Sequence, residues 1–338
     1  MEDRLKINDN IKTAMMLAVV LYHCCMFFTG SWFDRSTPVF SANYLSVFAR
    51  YLNTFHVQTF AMASGFLFYA LKKEYGKYSG NFRVDIGKRT KRLLLPYAIT
   101  NIVWVLPFYI VFSGFDVKAI VYKYVFGCAP SQLWFLPMLF WLFLLAYVVF
   151  RKHRPSEVGL IASVLISIGG GYILSTIGVK NVLQIVTAVR YAMYYYFGTY
   201  LYEKEIKPST SLTVMSVIFS VGGFALSSQL AGSNLFVLKA VNILVSSFTS
   251  FAGIFMVYGF ANLIGCKEDN RIWRGLKKNS FGVYLFHQQL IYPCIMLLNG
   301  RVNPVIQVVI CFMVLGFISS GITEFLRKWK ATKVMFGL

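Results

Sequence analysis

The sequence predicts an all-α integral membrane protein of about ten transmembrane helices, both termini cytoplasmic, with residues 1–338 forming a single domain. Composition, the spacing of apolar segments and the placement of positive charge all point there. Of 338 residues, 57% are hydrophobic and 14% charged, well below the roughly one quarter charged in soluble domains. Apolar windows fall near 11–28, 45–71, 93–113, 133–150, 158–177, 185–202, 211–231, 238–264, 280–298 and 305–326. Each approaches the ~20 residues that cross a bilayer as a helix, and the short connections leave no room for a sizeable soluble domain. The net charge of +20 would suit nucleic acid only if it were gathered on a soluble face. With the N-terminus inside, the outer loops hold just Arg35, Lys118, Lys123, Lys180 and Arg301, while Arg50, Arg190 and Lys239 lie within spans. All other Lys and Arg residues fall on the inner side, so the positive-inside rule places both termini in the cytoplasm. Nucleic acid is thereby excluded as a partner, and attraction to anionic membrane lipid is a secondary effect.

The first span opens with Asp9 and Lys12 and carries His23 deep inside. Lys12 and His23 are eleven residues apart, about 20° beyond three helical turns, so they share one face roughly 16 Å apart. An ionisable side chain inside a span is a functional-site hypothesis by default. The segment keeps polar residues through its core and is followed by the poor cleavage site Thr29-Gly30-Ser31, so it is expected to be a span and not a cleaved signal peptide. The next loop holds Trp32, Phe33, Phe40 and Tyr44 as an interfacial aromatic belt.

The second span contains Arg50, either snorkelling to the outer interface or meeting an anionic substrate. His56, two turns deeper, is either a packing histidine or a substrate contact. Ser64-Gly65 permits close approach of another helix. Before the third span, Lys88, Arg89, Lys91 and Arg92 cluster ahead of Pro96. Arg89 and Arg92 at i,i+3 project together if they form the first turn of that helix. Such a pair suits a phosphate clamp, with a topogenic cluster as the plainer account. Pro137 is expected to bend the fourth span. Gly169-Gly170-Gly171 thins the fifth for close packing, and Arg190 with Arg50 and Lys239 would make an outward cationic rim. The ninth span places Tyr284, His287, Gln288 and Gln289 within the membrane, with Tyr284 and His287 at i,i+3 on one face. Four polar residues in six positions suggest a cavity or tight interhelical hydrogen bonds. Glu324 and Arg327 form an i,i+3 pair at the end of the tenth span. The six cysteines (24, 25, 128, 266, 294 and 311) have no metal or redox spacing, so no metal is expected. No internal repeat or low-complexity tract occurs, and no feature sets an oligomeric state.

Taken in order, these landmarks resemble the type 3 membrane acyltransferase family over about residues 8–326. The family's Asp-x-x-Arg opening and its basic residue ahead of a histidine are matched by Asp9-Asn10-Ile11-Lys12 and Lys12-x10-His23, with lysine in place of arginine. Ser64-Gly65-Phe66, Arg89-Thr90-Lys91-Arg92 followed by LLLPY, LWFL at 133–136, and Tyr284-x-x-His287 match the other motifs. The resemblance implies an O-acetyltransferase in a bacterial plasma membrane. It would move an acetyl group from cytoplasmic acetyl-CoA to a hydroxyl of a capsular or cell-surface polysaccharide, or of its lipid-linked repeat.

It further implies that Arg89 and Arg92, helped by Lys88, hold the CoA phosphates. His23 would act as general base or covalent acyl carrier, with Asp9 orienting Lys12. Arg50, His56, Arg190, Tyr284 and His287 are the candidate acceptor contacts. Some family members carry an added outer domain, and this chain is expected to act alone. Succinyl or another acyl group would be an alternative donor. A transporter or flippase of a lipid-linked sugar is the competing class; it would call for paired repeats or broken acidic helices.

Overall fold

The computed structural model describes residues 2–30, 33, 35–78, 80–265 and 270–338; the expected belt residue Trp32 and Cys266 lie outside them. The described residues form helices and connecting turns, with no strand among them. The helices are α1 (Glu2–Met26), α2 (Asn43–Asn53), α3 (His56–Tyr75), α4 (Phe82–Arg89), α5 (Leu95–Thr100), α6 (Leu106–Ser113), α7 (Val117–Ile120), α8 (Phe135–Lys152), α9 (Glu157–Thr176), α10 (Ile185–Glu203), α11 (Thr210–Leu230), α12 (Phe236–Ile264), α13 (Arg271–Leu298), α14 (Pro304–Leu326) and α15 (Lys330–Met335). All ten apolar windows are helical. Among the described residues, eight helical stretches are long and apolar enough to cross a membrane: Glu2–Thr29, Phe82–Ser113, Ser131–Lys152, Glu157–Thr176, Thr210–Leu230, Phe236–Ile264, Arg271–Leu298 and Pro304–Leu326. The chain is therefore an all-α integral membrane protein.

The other two windows differ for physical reasons. The second is broken at Thr54–Phe55 into α2 and α3, where Phe55 leaves helical geometry (φ −141°, ψ −21°). Thr54 donates its hydroxyl back to the Tyr51 carbonyl, 2.7 Å away, and so satisfies one acceptor at the open end of α2. The sixth, α10, is rich in tyrosine and carries Arg190. It packs against α3, α8 and α9, and protein neighbours tolerate polarity that lipid does not.

Between Phe82 and Ser113 the chain is continuously helical but twice widens into π-type turns, at Thr90–Leu94 and Asn101–Val105. Each precedes a proline, Pro96 or Pro107, whose ring and missing N–H disturb the regular i−4 pattern. Asn81 caps this helix by accepting from Arg83 N at 3.0 Å. Arg89 and Arg92 thus lie at the junction of α4 with the π-type turn, several residues past the first turn expected for them. Pro137 sits in the first turn of α8, where its absent N–H has no intrahelical partner to lose. The helix runs without a break to Lys152.

α1 is central and packs against α2, α3, α12, α13 and α14. A close crossing joins α3 and α10. A Cβ at Gly65 would overlap the Tyr195 carbonyl, and one at Gly198 would overlap the Met62 carbonyl. Small residues at such crossings let backbones meet where the hydrophobic effect gives no help. On α9, Gly170 and Gly171 meet the Val189 and Arg190 side chains, whereas a Cβ at Gly169 would meet nothing within 4 Å. At one end of the bundle, Arg4 donates to the Leu201 and Tyr202 carbonyls at 3.2 and 2.9 Å. Lys73–Glu203, Lys204–Glu157 and Lys278–Glu324 pairs, each 2.8 Å, tie neighbouring helices there. Arg327 completes the expected pair with Glu324 at 3.3 Å.

Candidate active site

A cavity of about 540 Å³ runs inside the bundle between α1, α3, the Phe82–Ser113 helix, α8 and α13. α1 contributes Asp9, Lys12, Tyr22 and His23 to its wall. The eleven-residue spacing therefore does place Lys12 and His23 along one lumen. Arg89 and Arg92 line the same space, joined by Lys77 and Tyr78 from the loop after α3. Four of these residues, Lys77, Tyr78, Arg89 and Arg92, also line a second cavity of about 540 Å³ nearer the surface, together with Tyr75 and Lys88. The two cavities are thus contiguous across the Arg89–Tyr78 pair. Arg92 and Lys88 are exposed, whereas Lys12, Arg89 and His23 are half-buried.

Arg89 is held by aromatic faces. Its guanidinium lies 4.5 Å from the Phe143 centroid and 5.2 Å from that of Tyr78, and it donates a hydrogen bond to the Tyr78 hydroxyl. Cation–π contact suits Arg because the planar group is weakly hydrated. Lys12 and Asp9 form no ion pair among the described residues: Lys12 turns into the lumen while Asp9 stays exposed at the rim. Asp9 and Lys12 lie one turn apart on α1 and both line the cavity.

Two more histidines surround His23. His287 is fully buried, with Nε2 3.0 Å from His23 Nδ1. Its own Nδ1 lies 2.9 and 3.0 Å from the Val283 and Tyr284 carbonyls. His56 is buried at the start of α3 and lines the lumen; its Nδ1 lies 2.6 Å from the Leu52 carbonyl and its ring centroid 4.7 Å from that of Tyr22. No group of three His, Cys, Asp or Glu side chains among the described residues could hold a metal ion. Tyr284 also lines the cavity and donates to the Gln132 carbonyl at 2.7 Å. Gln132 and Gln289 pair through their amides at 2.7 and 3.1 Å, which fixes the start of α8 against α13.

The structure does not bring Arg50 or Arg190 to this site. Arg50 is exposed near the end of α2, and Arg190 lies over α9, donating to Ser175 Oγ and the Gly171 carbonyl. Lys239 is exposed on α12, so the three cations do not form a rim around the cavity. His287 does not line the lumen either, in contrast to its expected place as an acceptor contact. Tyr78, Phe143 and Gln132 line the cavity and carry no motif in the sequence, whereas Trp134, which lines it too, belongs to the LWFL motif. Only the Gly-flanked run Tyr75-Gly76-Lys77-Tyr78 carried a local hint, an aromatic pair in a basic loop.

A lumen with a half-buried imidazole inside and a cationic mouth makes this cavity the candidate site. Residues 8–324 match the family model described as an acyltransferase domain. The chain belongs to the type 3 acyltransferase family and is a multi-pass membrane acyltransferase. No curated protein and no solved structure matches it.

Proposed function

We propose that the protein transfers an acetyl group from cytoplasmic acetyl-CoA to a hydroxyl of a capsular or cell-surface polysaccharide, or of its lipid-linked repeat, in a bacterial plasma membrane. The observation that carries this reading is the continuous path from Arg89 and Arg92 to His23, with Lys12 between them. Arg89, Arg92, Lys88 and Lys77 would bind the donor's phosphates at the mouth, where guanidinium pairs give charge-assisted contacts. The lumen beyond is lined by aromatic and aliphatic side chains, among them Tyr22, Phe60, Phe135 and Leu139, and suits an acyl-bearing arm. His23 would take the proton of the acceptor hydroxyl as its oxygen bonds to the acyl carbon. The carbon–sulfur bond then breaks, and the same proton goes to the departing sulfur. Placing such a base is worth about 10²–10⁴-fold. Lys12, between the phosphate site and His23, would add a further positive charge along the path of the anionic donor.

The test uses purified protein in nanodiscs, following acetyl-CoA binding and slow thioester hydrolysis, neither of which needs the acceptor. His23→Ala is expected to bind acetyl-CoA as wild type does and to lose hydrolysis. The double variant Arg89→Ala with Arg92→Ala is expected to raise the Kd tenfold or more. Hydrolysis retained in folded His23→Ala removes His23 from the chemistry. Absence of binding by folded wild-type protein rejects acetyl-CoA as donor.

A further inference from the structure

We propose that Asn53, presented at the break between α2 and α3, sets acceptor specificity by hydrogen-bonding an uncharged sugar ring beside His23; this rests on the acetyl-transfer reading of the same lumen. The break is built, not frayed. The last carbonyls of a helix lack intrahelical partners, and three side chains meet those of α2 in turn. Thr54 donates its hydroxyl to the Tyr51 carbonyl at 2.7 Å, His56 Nδ1 lies 2.6 Å from the Leu52 carbonyl, and Gln58 donates its amide to the Asn53 carbonyl at 3.2 Å. Phe55 is buried at the break against Gly253 of α12, where a Cβ would overlap its side chain. Asn53 itself stays exposed, and its side-chain amide has no protein partner among the described residues. α2 carries the chain about 15 Å from its start to this point. A bare amide at such depth is tolerated where it faces a cavity and not lipid. Asn53 does line the lumen, together with His56, Val57 and Phe60 from the start of α3.

The lumen divides by charge. Among the described residues that line it, the charged ones are Asp9, Lys12, Lys77, Arg89 and Arg92. Arg89 and Arg92 act electrostatically on Lys12, whereas the ionisable groups acting on His23 are His287 and His56. The fixed charge therefore gathers on the Lys12 side, about 16 Å along α1 from His23. On the His23 side the lining offers the uncharged polar groups of Asn53, His56 and Tyr22 beside the aromatic rings of Phe60 and Trp134. That set suits a pyranose, whose hydroxyls point outward at the ring edge and whose C–H face is apolar. A carboxylate or phosphate would lose its hydration there without a fixed cation in return. Arg50, three residues before Asn53, does not line the lumen. The amide of Asn53 both donates and accepts, so it can hold two neighbouring hydroxyls of one ring. A site built to pair with a hydroxyl discriminates against sugars that lack it, because its own polar group is then left unpaired.

The test uses the nanodisc protein after acetyl-CoA binding and His23-dependent hydrolysis have been measured, so failure of the donor reading shows before any sugar is added. Methyl glycosides of glucose, galactose, mannose and N-acetylglucosamine then serve as neutral acceptors, and methyl glycosides of glucuronate and galacturonate as acidic ones. Release of CoA above the hydrolysis rate, with mass-spectrometric detection of the acetylated sugar, reports transfer. At least one neutral glycoside is expected to be acetylated, about tenfold or more faster than either uronide. Asn53→Ala should raise the KM for that glycoside about tenfold while acetyl-CoA Kd stays the same. Asn53→Lys places a cation on the His23 side and should shift the preference towards uronides about tenfold, a gain that misfolding cannot produce. Uronides acetylated as fast as neutral glycosides by wild type, no transfer to any neutral glycoside, or wild-type KM and preference in both folded variants overturns the proposal.

Discussion

Tyr78 holds a backbone φ of 63°, a region that side-chain-bearing residues seldom occupy. It stacks on Phe68 with centroids 4.9 Å apart and rings 7° from parallel, meets Phe143 at 5.3 Å, and accepts a hydrogen bond from Arg89. Local strain is thus balanced by aromatic packing, and the result is an arginine fixed where the inner and outer cavities join. Removing the hydroxyl alone, in Tyr78→Phe, should weaken acetyl-CoA binding about three- to tenfold, the worth of one typical hydrogen bond. Tyr78→Ala also loses the stack and should weaken binding further. Calorimetric titration of both variants checks this; equal affinity in wild type and Tyr78→Ala would mean that Phe143 alone positions Arg89.

At the scale of elements, the α3–α10 crossing holds the wall of the site in place. Phe68 on α3 and Tyr195 on α10 both line the lumen, and Gly65 and Gly198 bring their backbones together. A methyl group at either glycine must push one helix from the other, an overpacking cost of about 1–3 kcal/mol. Gly65→Ala and Gly198→Ala should lower the melting temperature in detergent and reduce acetyl-CoA affinity together. Gly222→Ala on α11, where a Cβ would meet nothing within 4 Å, should leave both unchanged and could raise helix stability slightly. A full-stability Gly65→Ala protein would show that the two helices slide without cost.

For the whole molecule, the inner cavity has its exposed cationic rim at the end where the first residues of α1 and the last of α3 and α10 meet. The distribution of Lys and Arg predicts that this end faces the cytoplasm, where acetyl-CoA would be available. In a background lacking the native cysteines, Lys204→Cys should react with a membrane-impermeant maleimide only after permeabilisation. Lys180→Cys, at the opposite end of α10, should react in intact cells. The reverse pattern would place the cationic mouth outside and remove the cytoplasmic donor from the proposed function.

The sequence by itself determined the helical membrane class, the ten apolar windows and the family motifs, because hydropathy and charge placement depend on local composition. It also placed Lys12 and His23 on one face, since both belong to one helix with a known repeat. The break at Thr54–Phe55 was not legible, because no proline or glycine marks it; packing around α2 and α3 decides it. Local pattern groups Arg50, Arg190 and His287 as acceptor contacts, since each is a polar residue in a span. Tertiary structure separated them: Arg190 lies over α9, Arg50 faces outward, and His287 turns to His23. The histidine pair spans 264 residues of chain. Only the packing of α1 on α13 could bring those rings to hydrogen-bonding distance, because local pattern carries no information about which distant helix a side chain will meet.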